Sequence, residues 1–243
     1  MILVTGCSQN HVKTLEQFLD NIRLVNMNQD AEKVIIYDLG IEKKYLERLQ
    51  NKFTDSYFLF RKFKYENYPD WYNININAGE YAWKPAIIKE CSLEYKEDIL
   101  VWMDSGNLFK NLNSLKDLSN VIEYEGLHTV QTGGKINDWT HKKTIEYLNV
   151  KNVNENNRNG ACIGFNLKKQ WVKDFLTEYT ELCSIKDCIA PKGSTRANHR
   201  QDQAILTILF YLYKKKIDTD FNFYPNLLQR CDNEIYSVHN DID

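Results

Sequence analysis

The amino-acid sequence predicts an α/β protein with a mostly parallel central sheet flanked by helices and a more mixed C-terminal part. Two observations predict it. Short apolar runs suited to buried strands alternate with segments whose apolar residues recur at helical spacing, the pattern of βαβ crossovers. Polar clusters then follow the strands at residues 5–11, 38–40 and 104–107, where parallel sheets present their ligand-binding edge.

Taken in order, residues 2–4 read as a first strand, and Val12, Leu15, Phe18, Leu19, Ile22 and Val25 as one face of a helix. A second strand at 34–37 ends in Asp38-Leu39-Gly40, and Ile41, Tyr45, Leu46, Leu49 and Phe53 mark a second helix. A third strand at 57–60 leads into a polar, aromatic loop. Trp83-Lys84-Pro85 leads into the next helix, with Pro85 at a favoured first helical position, where its missing N–H costs nothing. Ile87, Ile88 and Cys91 supply that helix with its apolar face.

Beyond the strand Ile99–Met103, Leu115, Leu118, Val121 and Ile122 predict a helix closed by Gly126. A strand at 127–131, a Gly133-Gly134 turn, an Asn-rich loop at 152–159 and a strand at 161–165 follow. Helices at 171–182 and 201–213 are separated by a loop of about 18 residues, a length usually kept for function. With no repeat and no evident linker, residues 1–243 read as one domain.

Composition narrows the function classes. A net charge of −2 lacks the basic excess of a nucleic-acid binder. The six cysteines, at 7, 91, 162, 183, 188 and 231, form no CxxC pair and read as reduced core thiols. The N-terminal apolar run is too short for a signal peptide, and no run approaches the roughly 20 residues of a membrane span, so the expectation is a cytoplasmic protein. Lys214-Lys215-Lys216, after an aromatic helix end, could touch an anionic membrane, but a solvated cationic helix terminus is the favoured reading.

Asp104 carries the strongest chemical signal. Ile99–Met103 reads as a strand buried on both faces, and it delivers an acid followed by Ser105, Gly106 and Asn107. A carboxylate there is costly unless something pairs with it. Mg²⁺ or Mn²⁺ bridging a pyrophosphate needs only one or two protein carboxylates, and a strand tip fixes such an acid rigidly. Gly106 lets the backbone approach phosphate or ribose. The same residues also read as an Asp-initiated turn, and the pattern alone leaves both open. A dinucleotide site is excluded, because Val4-Thr5-Gly6-Cys7-Ser8 lacks the second and third glycines of GxGxxG.

The order of residues 5–11, Tyr37-Asp38-Leu39-Gly40, Tyr81-Ala82-Trp83-Lys84-Pro85 and Trp102-Met103-Asp104-Ser105-Gly106 resembles a poorly characterised group of GT-A-fold glycosyltransferases. More distantly it is similar to the glycogenin-like and galactosyltransferase-like enzymes. The resemblance spans most of the chain and implies a GT-A fold, with a nucleotide-binding half at 1–110 and an acceptor-side half at 111–243. It implies transfer of a hexosyl or deoxyhexosyl group from a nucleotide-diphosphate sugar, a UDP-sugar first, to a glycan or other hydroxyl acceptor. In such enzymes DxD acids bind the metal and ribose. Asp104 matches the first acid, and Gly106 stands where the second would be.

The divalent metal, Mn²⁺ or Mg²⁺, would therefore rest on Asp104, with Asn107 or His239 as further ligands. Lys84 would meet the donor phosphates, Ser105 and Gly106 the donor beside Asp104, and Thr5, Gly6, Ser8, Asn10 and Asp38 the base and ribose. Ser8 and Asn10 also suit a helix cap. Asp202, in the first turn of its helix, is the candidate catalytic base, and a carboxylate there also suits the helix dipole. The acceptor side would comprise Asn159, Gly160, Asn166, His199 and Arg200. Two alternatives remain: a non-catalytic nucleotide-sugar or glycan-binding module, and a sugar-1-phosphate nucleotidyltransferase. The latter wants a Gly-rich basic loop after the first strand, and Gly6 to Val12 offers one glycine and neither Lys nor Arg.

Overall fold

A computed structural model describes residues 1–213 and 228–230. In chain order the elements are β1 (Ile2–Cys7), α1 (Val12–Val25), β2 (Lys33–Asp38), α2 (Lys43–Lys52), β3 (Phe58–Lys62) and α3 (Trp83–Glu94). Next come β4 (Ile99–Met103), β5 (Asn107–Phe109), α4 (Ser114–Glu125), β6 (Leu127–His128), β7 (Gln131–Lys135), α5 (Ile136–Trp139) and α6 (Lys142–Tyr147). β8 (Asn156–Arg158), β9 (Cys162–Asn166), α7 (Gln170–Cys183), α8 (Lys186–Ile189), α9 (Gln201–Tyr213) and β10 (Leu228–Arg230) complete them.

The central sheet has six strands in the order β3-β2-β1-β4-β9-β6. β1 to β4 run parallel, whereas β9 is antiparallel to both β4 and β6. Strand alternation divides the core in two. Ile2, Val4, Leu100 and Trp102 face one layer, with α3, α7 and α9. Leu3, Val101 and Met103 face the other, with α1, α2 and α4. The expected α/β architecture is therefore the observed one, a mostly parallel sheet covered on both faces by helices.

Three details differ from the expectation. The strand expected at 127–131 stops at His128, and Gln131 starts β7, which pairs with β8 in a separate ribbon. Gly133 and Gly134 lie within β7 rather than in a turn, because the ribbon carries a register irregularity there. At Gly134, φ is +81° and a Cβ would stand 2.2 Å from the Trp139 ring, so only glycine fits. The long segment before α9 carries the short helix α8, which buries Cys188 and Ile189. The Lys214-Lys215-Lys216 cluster, His239 and Cys231 lie outside the described residues. Among the described residues no helix is long and apolar enough to cross a membrane.

Gly164, in the middle of β9, lets α4 lie close against the sheet. A Cβ at Gly164 would stand 2.3 Å from Ile122 Cδ1 and 2.5 Å from Cγ1. Gly164→Ala is expected to cost about 1–3 kcal/mol through overpacking, read as a lower urea midpoint with unchanged m-value.

Candidate active site

Because β1, β2 and β4 are parallel, their carboxyl ends share one edge, and a cavity of about 820 Å³ opens there. Gly6 to His11 line one wall, Leu39 and Gly40 a second, and Asp104, Ser105 and Gly106 a third. Residues 74–83, Lys84 and Arg196 contribute to the remainder, among them Ile74, Asn75, Asn77, Ala78, Tyr81 and Trp83.

Lys84 is the centre of the arrangement. The first turn of α3 carries it under the end of β4, where it is only 6% exposed. Its Nζ lies 3.3 Å from Asp104 Oδ1 and 3.5 Å from Asp202 Oδ2, and donates to the Gly160 carbonyl at 3.3 Å. It also stands 5.6 Å from the Trp102 ring centroid. Burial disfavours the ammonium, but Asp104 and then Asp202 outweigh it and hold Lys84 above the usual lysine range. Burial pushes the Asp202 carboxyl up, against the opposing pull of Lys84.

The two acids differ in access. Asp202 is 3% exposed and lies behind Lys84, away from the cavity wall, where Tyr179 donates to its Oδ2 at 3.3 Å. The Asp104 side chain is 37% exposed. Trp102 Nε1 donates to its Oδ1 at 2.6 Å, so the Trp102 and Lys84 contacts both fall on that oxygen. Oδ2 is the atom left to face a ligand. The Asp104 turn is fixed from below: Asp104 N donates to Ala161 O at 2.8 Å, and the Asn107 amide donates to Asp104 O at 3.1 Å and Ala161 O at 3.4 Å.

The expected residues divide accordingly. Gly6, Ser8, Asn10, Lys84, Asp104, Ser105 and Gly106 come together at the cavity. Ser8 Oγ donates to Asn10 Oδ1 at 2.5 Å, and His11 Nδ1 lies 3.0 Å from the same oxygen. Neither Ser8 nor Asn10 caps α1, whose N-cap residue is His11. Thr5 does not reach the cavity, because β1 extends to Cys7 and Thr5 is fully buried within it. Asp38 instead holds its own turn, Oδ1 accepting from Gly40 N at 2.8 Å and Ile41 N at 2.6 Å.

On the expected acceptor side, Gly160 alone approaches Lys84, and its N–H donates to Gln203 Oε1 at 3.1 Å. Asn159 turns its Oδ1 onto Ala161 N. Asn166 lies at the opposite end of β9, paired with Ile99 where Cys162 pairs with Met103, because that strand runs antiparallel. His199 is fully buried, accepting from His141 N through Nδ1 and bonding Ile189 O through Nε2. Arg200 stacks over Trp139 at 4.2 Å rather than lining the cavity. Asp202, expected as a base facing the acceptor, is a buried counter-ion of Lys84.

Two further parts of the wall were not singled out from the sequence as site residues. Residues Asn77 to Tyr81 all have positive φ, between 47° and 62°, a left-handed turn. Gly79 is required within it, since a Cβ would stand 2.3 Å from Tyr72 O, and Trp83 Nε1 closes it by donating to Ala78 O at 3.0 Å. Backbone held in this region is costly and concentrates at ligand sites. Arg196 is the second, and the unusual length of its loop was its one sequence signal.

The donor set decides what kind of metal fits. Among the described residues no three His, Cys, Asp or Glu side chains converge, and Gly106 supplies no second carboxylate. Asp104 Oδ2 therefore fits a cation completed by substrate phosphates and water, not a preformed protein cage. The Asn107 amide nitrogen is turned onto backbone carbonyls.

The family profile described as "Protein of unknown function (DUF1647)" matches residues 1–89. No curated protein matches. Among solved structures, the galactosyltransferase LgtC in complex with donor and acceptor sugar analogs is 15% identical, with a TM-score of 0.52 over 86% of this chain and 70% of that one. Mouse xyloside xylosyltransferase 1 is 9% identical, with a TM-score of 0.53 over 90% and 84%. The S. cerevisiae mannosyltransferase Ktr4p is 11% identical, with a TM-score of 0.51 over 86% and 64%. The chain thus has the fold of the GT-A glycosyltransferases.

Lys84→Met would leave Asp202 buried without its counter-ion and is expected to destabilise by about 3–5 kcal/mol. Adding Asp202→Asn should recover part of that loss in a urea double-mutant cycle. His199 supplies a pH test. Burial lowers its pKa from 6.5 to about 4, so between these values the unfolded state binds more protons. Stability should fall as pH drops from about 6.5 towards 4, and the fall should be shallower in His199→Gln, read by urea unfolding at each pH.

Proposed function

We propose that the protein transfers a sugar from a nucleotide-diphosphate sugar, a UDP-sugar first, to a hydroxyl acceptor in glycan or polysaccharide synthesis. The observation that carries this reading is the Asp104–Lys84 pair at the carboxyl edge of the parallel sheet, inside a cavity of about 820 Å³. Strand-end acids at such an edge are held rigidly enough to orient a diphosphate or a ribose. A cavity of this size is also at the upper end of the range for small-molecule sites.

In this reading Ser8, Asn10 and His11 meet the nucleoside, and Gly6 and Gly106 keep the wall low enough for close approach. Asp104 Oδ2 takes the ribose hydroxyl or a Mn²⁺ or Mg²⁺ ion shared with the donor's phosphates. Such an ion supplies charge neutralisation on the departing nucleoside diphosphate. Lys84 holds Asp104 in one rotamer through Oδ1, and Asp202 keeps Lys84 in place. Oriented charge of this kind needs no reorganisation as the glycosidic bond breaks.

The test is a panel of UDP-, GDP-, dTDP- and CMP-sugars, each with Mn²⁺, Mg²⁺ or chelator, scored for donor hydrolysis and transfer. One nucleotide class should turn over, and Asp104→Asn should lower turnover by about 100-fold or more. Calorimetric binding of a donor with no turnover under any metal would sink the transferase reading. It would leave the binding module, which the glycine at 106 favours.

A further inference from the structure

The charges at the cavity do not balance an incoming diphosphate. Lys84 already faces two carboxyl groups, Asp104 at 3.3 Å and Asp202 at 3.5 Å, and so has little charge to spare for a ligand. A diphosphate adds further negative charge, and Gly106 stands where an acid would strengthen the hold on a neutralising metal. Among the described residues the lysine and arginine side chains lining the cavity are Lys84 and Arg196. We propose that Arg196 is a phosphate-binding residue of this cavity, an assignment that rests on the nucleotide-sugar reading above.

Three features suit Arg196 to that task. Its guanidinium is charged at every physiological pH, and its planar fork matches phosphate oxygens in pairs. It lies 5.7 Å from the centroid of the Tyr81 ring, itself part of the cavity wall, so an aromatic face limits its swing. The loop beneath it is tied internally. Thr195 N donates to Asn198 Oδ1 at 2.8 Å, Asn198 Nδ2 to Gly193 O at 3.2 Å, and His199 N to Thr195 O at 2.9 Å. Buried His199 anchors the loop's end to Ile189 and His141. Arg196 is thus an exposed side chain on a bonded base, which lowers the ordering cost of binding.

The phosphate could belong to the donor or to a phosphorylated acceptor, and calorimetry separates the two. UDP, GDP, uridine, guanosine and glucose 1-phosphate are titrated, with Mn²⁺ and with chelator, into wild type, Arg196→Ala and Arg196→Lys. In Arg196→Ala, UDP or GDP binding should weaken about tenfold or more, nucleoside binding should stay unchanged, and Arg196→Lys should recover part. The melting temperature should hold, since the side chain is exposed. A loss confined to glucose 1-phosphate would move the residue to the acceptor and overturn the donor assignment. Equal losses for UDP and uridine would make Arg196 a support for Tyr81 and overturn it as well. Unchanged UDP binding in Arg196→Ala would overturn it while leaving the transferase reading intact. Wild type that binds no nucleoside diphosphate would overturn both.

Discussion

The ammonium of Lys84, buried between two carboxylates, is the constraint to which the rest of the site answers. Taking Lys84 and Asp202 out of water is expensive, and mutual attraction repays it only when the geometry is held closely. Five elements meet that demand together. β4 delivers Asp104, α3 delivers Lys84, and α9 delivers Asp202. The segment entering β9 supplies the Gly160 carbonyl, and α7 supplies the Tyr179 hydroxyl. A slip of any one of them would leave a buried charge or a buried polar atom without its partner.

The reversed strand β9 explains how distant segments reach this point. It enters the sheet beside Met103, so residues 159–161 arrive under Asp104, and it carries Asn166 away to the far edge. Gln203 then brackets Gly160 and ties the start of α9 to the same place. On the other side, the left-handed turn at residues 77–81 is fixed by Gly79 and Trp83, which stiffens a wall that would otherwise be a loop. The cavity is therefore bounded by backbone held in place on both sides.

Likeness to solved glycosyltransferases at 9–15% identity speaks for the fold, while the chemistry rests on this chain's own residues. Gly106 supplies no carboxylate at the strand tip, and Asp202 pairs with Lys84. In the proposed reading, the charge that a diphosphate requires would come from a cation it helps to bind and from side chains at the rim. Arg196 stands at that rim.

The sheet, its parallel half and the edge that carries the cavity were legible in the sequence, because apolar period and strand-end polarity are local properties. Asp104, Lys84, Ser8 and Asn10 were legible for the same reason, since each lies at or next to the end of an element that the pattern reveals. Where Thr5 and Asp38 lie follows from small local facts that a pattern does not show: β1 runs on to Cys7, and Asp38 bonds its own turn. His199 and Arg200 sit beside Asp202 in sequence, yet packing turns one into the core and the other onto Trp139. Sequence therefore determined which groups stand near the sheet edge. Tertiary structure alone decided that Asp202 pairs with Lys84 and that Arg196 joins the cavity, because charge pairing depends on distances between segments more than a hundred residues apart.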